Sequence, residues 1–300
     1  MPVSFLTPAQ RERFGRYPST PSADELARYF HLDDADLVLI SQKRGDHNRL
    51  GFALQLTTVR FLGTFLENPL DVPVTVLSTL SRQLAIPLSD HLDSYRDERQ
   101  RQLHVMEIRT RYGYRDFTDQ GAGLRLTRWL YALCWTGTDR PSVLFERATD
   151  WLLSHKVLLP GVSVLERFVA KLRTRVEKRL WNRLGRGVTE EQQRQLENLL
   201  IVPASSRRSP LDQLRSGPVT VSGPGLVRAT LRLQSVRDLG MARPAAVAIP
   251  PSRLALLARF AAAAKVSVIQ RLPAARRLAT LVAFVQSLEA TSLDDALELL

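Results

Sequence analysis

Four cationic side chains, Arg167, Lys171, Arg175 and Lys178, stand at i, i+4, i+8 and i+11 of one stretch. At 3.6 residues per turn that spacing lines them along one ridge of a helix. Such a ridge breaks no bonds; its chemistry is the neutralisation of successive phosphates of a polyanion. Residues 166–186 strengthen the signal, adding Arg173, Arg179, Arg183 and Arg186 against only Glu166 and Glu177. Leu165, Phe168, Val169, Leu172 and Val176 repeat at helical spacing and form the stripe that would face inward. A solvated surface helix paired with a neighbour's acids could carry the same ridge. Few acids lie nearby in sequence to pair with it.

Two further clusters carry polar chemistry. In RTRYGYRDF, Arg109, Arg111 and Arg115 interleave with Tyr112, Tyr114 and Phe117 around Gly113. Arginines with exposed aromatics hold nucleic acid by phosphate contact and stacking. The same aromatics could instead close a helix C-terminus against a core at Gly113; the residue types do not choose. In RGDHNR, Gly45 permits a tight turn, Asp46 is expected to cap the helix that follows, and Arg44 and Arg49 add local cations. Asp46 beside His47 would suit a metal-dependent nuclease. Yet the five histidines (positions 31, 47, 91, 104 and 155) are dispersed, without ligand spacing. No Gly-rich phosphate loop, nucleophile elbow or zinc-protease motif occurs. No catalytic or metal-binding residue is therefore assigned, and no cofactor is expected for this chain.

The charge of the whole chain points the same way as the ridge. Residues 1–150 carry 19 Lys/Arg and 19 Asp/Glu, whereas residues 151–300 carry 23 against 11, the entire net charge of +12. A cationic field confined to one half favours a polyanionic partner, above all double-stranded DNA. Only five of the 42 basic residues are lysine; arginine's planar fork suits phosphate and guanine. No apolar run reaches the roughly 20 residues needed to span a bilayer, and residues 1–10 lack the layout of a signal peptide. The one cysteine, Cys134, sits in WLYALCW and reads as a buried, inert thiol in a reducing cytosol.

The elements that must position these residues are helices, so the predicted fold class is all-α, several small helix-turn-helix-like modules in tandem. Thr7-Pro8-Ala9-Gln10, Ser22 with Glu25, Asp33 and Thr189 with Gln192 mark helix starts. Ser292 with Asp295 is expected to open a last helix that the chain leaves unfinished, as the front of a longer polypeptide would. Between residues 142 and 184 lies the strongest local pattern: an amphipathic helix, a tight turn at 157–161 containing Pro160 and Gly161, and the basic helix with Ser163 as its cap. Residues 219–221 are the best strand candidate. Boundaries are expected near residues 118–123 and 203–208, giving an N-terminal helical domain 1–120, a helix-turn-helix-like domain 121–202, and a third helical domain 209–300.

RGDHNRLGFALQLTTVRFLGTFL (residues 44–66) and IRTRYGYRDF (108–117) resemble the amino-terminal region of the Tn-three family of transposases, the class II replicative group. Residues 1–36, LLPGVSVLERFVAKLR (158–173) and residues 276–300 are similar to that family in the same order. The resemblance implies all-helical DNA-binding modules that recognise the transposon's terminal inverted repeats, in a bacterial cytoplasm and on the nucleoid. It also implies a downstream RNase H-like domain whose Asp-Asp-Glu triad holds Mg²⁺, with no counterpart in these residues, and a possible homodimer of the whole protein. A stand-alone or truncated repressor competing for the same sites is the alternative. The DNA-contacting residues expected are Arg167, Lys171, Arg173, Arg175, Lys178, Arg179 and Arg183, with Arg44, Arg49, Arg109, Arg111 and Arg115.

Overall fold

The computed structural model describes residues 4–68, 71–87, 95, 98–204, 206–217, 222–240 and 249–298. Among the described residues the chain is all-α, with fifteen helices and one isolated parallel bridge, between Arg115 and Val157. The strand candidate at 219–221 lies outside the described residues. No described helix is long and apolar enough to cross a membrane.

The packing forms two compact units, residues 1–130 with 140–170, and residues 131–139 with 171–300. The first contains α1 (Pro8–Arg13), α2 (Ala23–Tyr29), α3 (Asp34–Ser41), α4 (Asp46–Leu62), α5 (Val74–Leu84), α6 (Glu98–Tyr112), most of α7 (Gln120–Thr136), α8 (Pro141–Ser154) and the start of α9 (Val162–Gly185). Its centre is α4, where every residue from Leu50 to Val59 is buried. A helix apolar on all sides must sit inside others. Phe30, Ile40, Val76, Leu80 and Ile108 close round it from α2 to α6. Two hydroxyls of α4 are satisfied in place: Thr57 donates to Ala53 O at 2.8 Å, and Thr58 meets the Tyr17 hydroxyl at 2.9 Å. Arg60 forks onto buried Asp36 at 2.8 and 2.7 Å, and the Tyr112 hydroxyl donates to the same carboxylate at 2.6 Å. Those bonds hold Asp36 below the ordinary carboxylate range despite its burial.

The second unit contains the end of α7, the rest of α9, and α10 (Glu190–Asn198), α11 (Pro210–Arg215), α12 (Gly223–Asp238), α13 (Pro251–Ala263), α14 (Val266–Gln270) and α15 (Ala274–Glu298). Helix α15 is its spine, with Ala279, Leu281, Val282, Ala283, Phe284 and Val285 all buried. Leu199 and Leu200, before residues 203–208, share a core with Leu211 and Leu214 after them.

The capping boxes at Thr7, Ser22, Asp33 and Thr189 form as the sequence requires. Three local expectations fail. Ser292 opens no helix; it lies buried within α15, which runs unbroken from Ala274 to Glu298 and overrides a weak cap signal. Asp46 is not the cap of α4. Gly45 takes that position at φ +83°, a conformation open to glycine, leaving Asp46 in the first turn facing Arg49 at 3.4 Å. Ser163 lies within the first turn of α9, which Gly161 starts by accepting from the Val164 and Leu165 amides at 2.8 and 3.2 Å.

Candidate nucleic-acid interface

Helix α9 supplies the interface by having two unlike faces. Leu165, Val169, Leu172, Val176, Leu180 and Leu184 are all buried, at the three- and four-residue intervals of an inward stripe. Phe168, expected in the same stripe, is half-buried and meets Phe117 edge-on at 5.8 Å. The connection from α8 is seven residues, 155–161, rather than a tight turn. It is fixed by the bridge to Arg115: the Arg115 amide donates to Lys156 O and the Leu158 amide to Arg115 O, both at 2.9 Å.

Burial of one face leaves the cations on the other. Arg167, Lys171, Arg175 and Lys178 are exposed. None forms an ion pair among the described residues; Arg167 bonds only Ser163 O, at 3.1 Å and one turn back. Arg179 is exposed over the Tyr131 ring at 5.8 Å, and half-buried Arg183 lies over Trp135 at 5.0 Å. Tyr131 and Trp135 are themselves stacked at 6.5 Å. Cation–π contact holds a guanidinium against a ring face without consuming its hydrogen-bond donors. Arg173 differs, because Glu177 pairs with it at 3.3 Å.

One acid of this basic helix has a separate task. Glu166 is fully buried and accepts from the Phe5 and Leu6 amides at 3.2 and 3.3 Å and from Arg11. It anchors the amino-terminal segment. Local spacing carried no hint of that, because its partners lie about 160 residues away.

The smaller clusters are placed less openly. Arg109 is paired with Asp116. Arg49 donates to Lys43 O at 3.2 Å and faces Asp46, so it braces the start of α4. Arg44, Arg111 and Arg115 are exposed. The aromatics between the arginines turn inward: Tyr112 to Asp36, Tyr114 against the core around α4, Phe117 onto Phe168. Gly113 ends α6 at φ +72°, so these rings close a helix end rather than form a stacking surface.

Among the described residues no three His, Cys, Asp or Glu side chains approach closely enough to hold a metal. Burial pushes the Cys134 thiol up to about 11, which keeps it protonated and unreactive.

Residues 5–172 match a domain of unknown function, DUF4158. Over its whole length the chain is 45% identical to the transposase for transposon gamma-delta of Escherichia coli strain K12, covering 30% of that protein. It is 32% identical to the transposase for transposon Tn1546 of Enterococcus faecium over 79% of the chain and 24% of the relative. It is 29% identical to the transposase for transposon Tn21 of Escherichia coli over 99% of the chain and 30% of the relative. The chain thus spans less than a third of the length of these relatives.

Proposed function

This chain belongs to the Tn-three family of transposases, and from that premise we propose that it binds the terminal inverted repeats of a transposon as double-stranded DNA. The observation that carries the reading is the exposed ridge Arg167, Lys171, Arg175 and Lys178, which has no carboxylate partner among the described residues. A ridge of this kind gives affinity through phosphates and places the helix along the backbone. Sequence discrimination then comes from neighbouring side chains that reach base edges. Arg179 and Arg183, laid on aromatic rings, extend the cationic face with their donors still available. In this reading the chain does recognition. Nicking and joining of DNA belong to the whole transposase, through Mg²⁺ held by an Asp-Asp-Glu triad outside these residues.

A gel-shift titration tests it. Duplexes carrying the terminal repeat of the parent transposon and scrambled duplexes of equal length are compared at physiological salt. Tighter binding of the repeat supports end recognition. Equal affinity for both removes the sequence-specific claim and leaves only a non-specific cationic surface.

A further inference from the structure

A cavity of about 200 Å³ opens in the second unit among the 138–139 loop, α9, α13 and α15. Arg173, Arg253 and Arg276 line it, with Glu177 and Asp139 the only acids. Glu177 is already engaged by Arg173 at 3.3 Å. Arg253 is the anomaly. It is only 8% exposed; among the described residues its Nε has no hydrogen-bond partner, and its side chain makes one long bond, from Nη1 to Gly137 O at 3.5 Å. A buried guanidinium left so incompletely paired is costly, and burial pulls its proton affinity down. It also lies in the first turn of α13, whose start has no side-chain cap, so the helix dipole adds positive potential there. Arg276 sits over the rings of Trp181 and Phe260, at 5.8 and 5.7 Å. Leu180, Leu256 and Leu257 complete the wall.

We propose that this cavity binds a phosphate monoester on a small planar or apolar body, as in a nucleoside monophosphate. The phosphate would take the unused donors of Arg253 and the charge of Arg276, and the body would lie against the leucine and aromatic wall. The site is distinct from the ridge. On α9, Arg173 and Arg175 are about 200° apart around the helix, so the proposal does not depend on the DNA-end reading.

Calorimetric titration of the full chain with deoxyadenosine monophosphate, and separately with inorganic phosphate, tests it. One saturable nucleotide site is expected. It should weaken at least tenfold in Arg253→Met, with Arg253→Lys intermediate because it keeps charge but loses the fork. Arg253→Met should melt no lower than wild type, since the unpaired donor is gone. A merely structural arginine would behave in the opposite way. If Arg253→Met does not fold, Arg276→Gln takes its place with the same expected loss. Arg175→Ala should leave nucleotide binding unchanged while weakening duplex binding. Displacement of the nucleotide by hairpin DNA with a 5′-phosphate, but not by unphosphorylated hairpin, assigns the site to a DNA end; no displacement by either assigns it to a free nucleotide. Absence of saturable binding by wild type, or equal binding by a folded variant, overturns the proposal.

Discussion

Replacing Arg167, Lys171 and Arg175 together by alanine isolates the ridge from the rest of the molecule. From Arg167 to Lys178 the ridge spans eleven residue steps, about 16 Å of helix axis at the α-helical rise. That reach lets each of the four cations meet a separate phosphate. Removing one cation from its phosphate should flatten the dependence of log affinity on log salt by about 0.9. The triple variant should therefore lose about 2.7 from its slope. Between 50 and 200 mM salt, a factor of four, this corresponds to about 40-fold in affinity. The weakening should be nearly the same for a repeat-bearing duplex and a scrambled one, because phosphates carry no sequence information. Stability should change by no more than about 0.5 kcal/mol per site, since these exposed side chains form no ion pair among the described residues. Fluorescence anisotropy at several salt concentrations reads the slope, and thermal melting reads the control. An unchanged slope in a normally melting variant would refute the assignment of DNA to this face.

Three further outcomes test the scaffold. Burial pulls His104 down to about 4, beside the Tyr95 hydroxyl at 2.8 Å and Gln100 at 2.8 Å. The folded state therefore holds it neutral, and its contribution is present above the unfolded value near 6.5 and lost as pH falls below it, by about 3 kcal/mol at most. Urea titrations between pH 7 and 4 should show that loss in wild type and a flatter profile in His104→Gln; identical profiles would exclude His104 as the source. Glu166→Gln leaves Arg11 without its carboxylate and should cost about 3 kcal/mol in chemical denaturation, against near-neutral behaviour if the pair were solvated. Gly63→Ala forces a side chain onto a backbone at φ +72° and drives its Cβ into Leu153 Cδ2. A loss of about 1–3 kcal/mol is expected, and an unchanged melting temperature would contradict that close approach.

Features that act over a few residues could be read from the amino-acid order alone. The capping boxes at Thr7, Ser22, Asp33 and Thr189 close within three residues, so their chemistry was legible directly. The all-α class followed from apolar spacing. The exposed ridge on α9 followed from the same periodicity, because burying Leu165, Val169, Leu172 and Val176 leaves Arg167, Lys171 and Arg175 to solvent. Packing of the whole chain settled whatever depends on which distant group arrives. Ser292 carries a cap signal, yet α15 runs on through it and buries it. Tyr112 could have stacked on a base, but Asp36, 76 residues away, takes its hydroxyl. Glu166 is one of two acids in a basic stretch by sequence, and only the fold brings residues 5, 6 and 11 onto it. Arg253 acquires its meaning only where α9, α13 and α15 leave a cavity beside it. Periodicity fixes which way a side chain faces relative to its own helix; a long-range partner is chosen by the whole packing, and no local spacing encodes it.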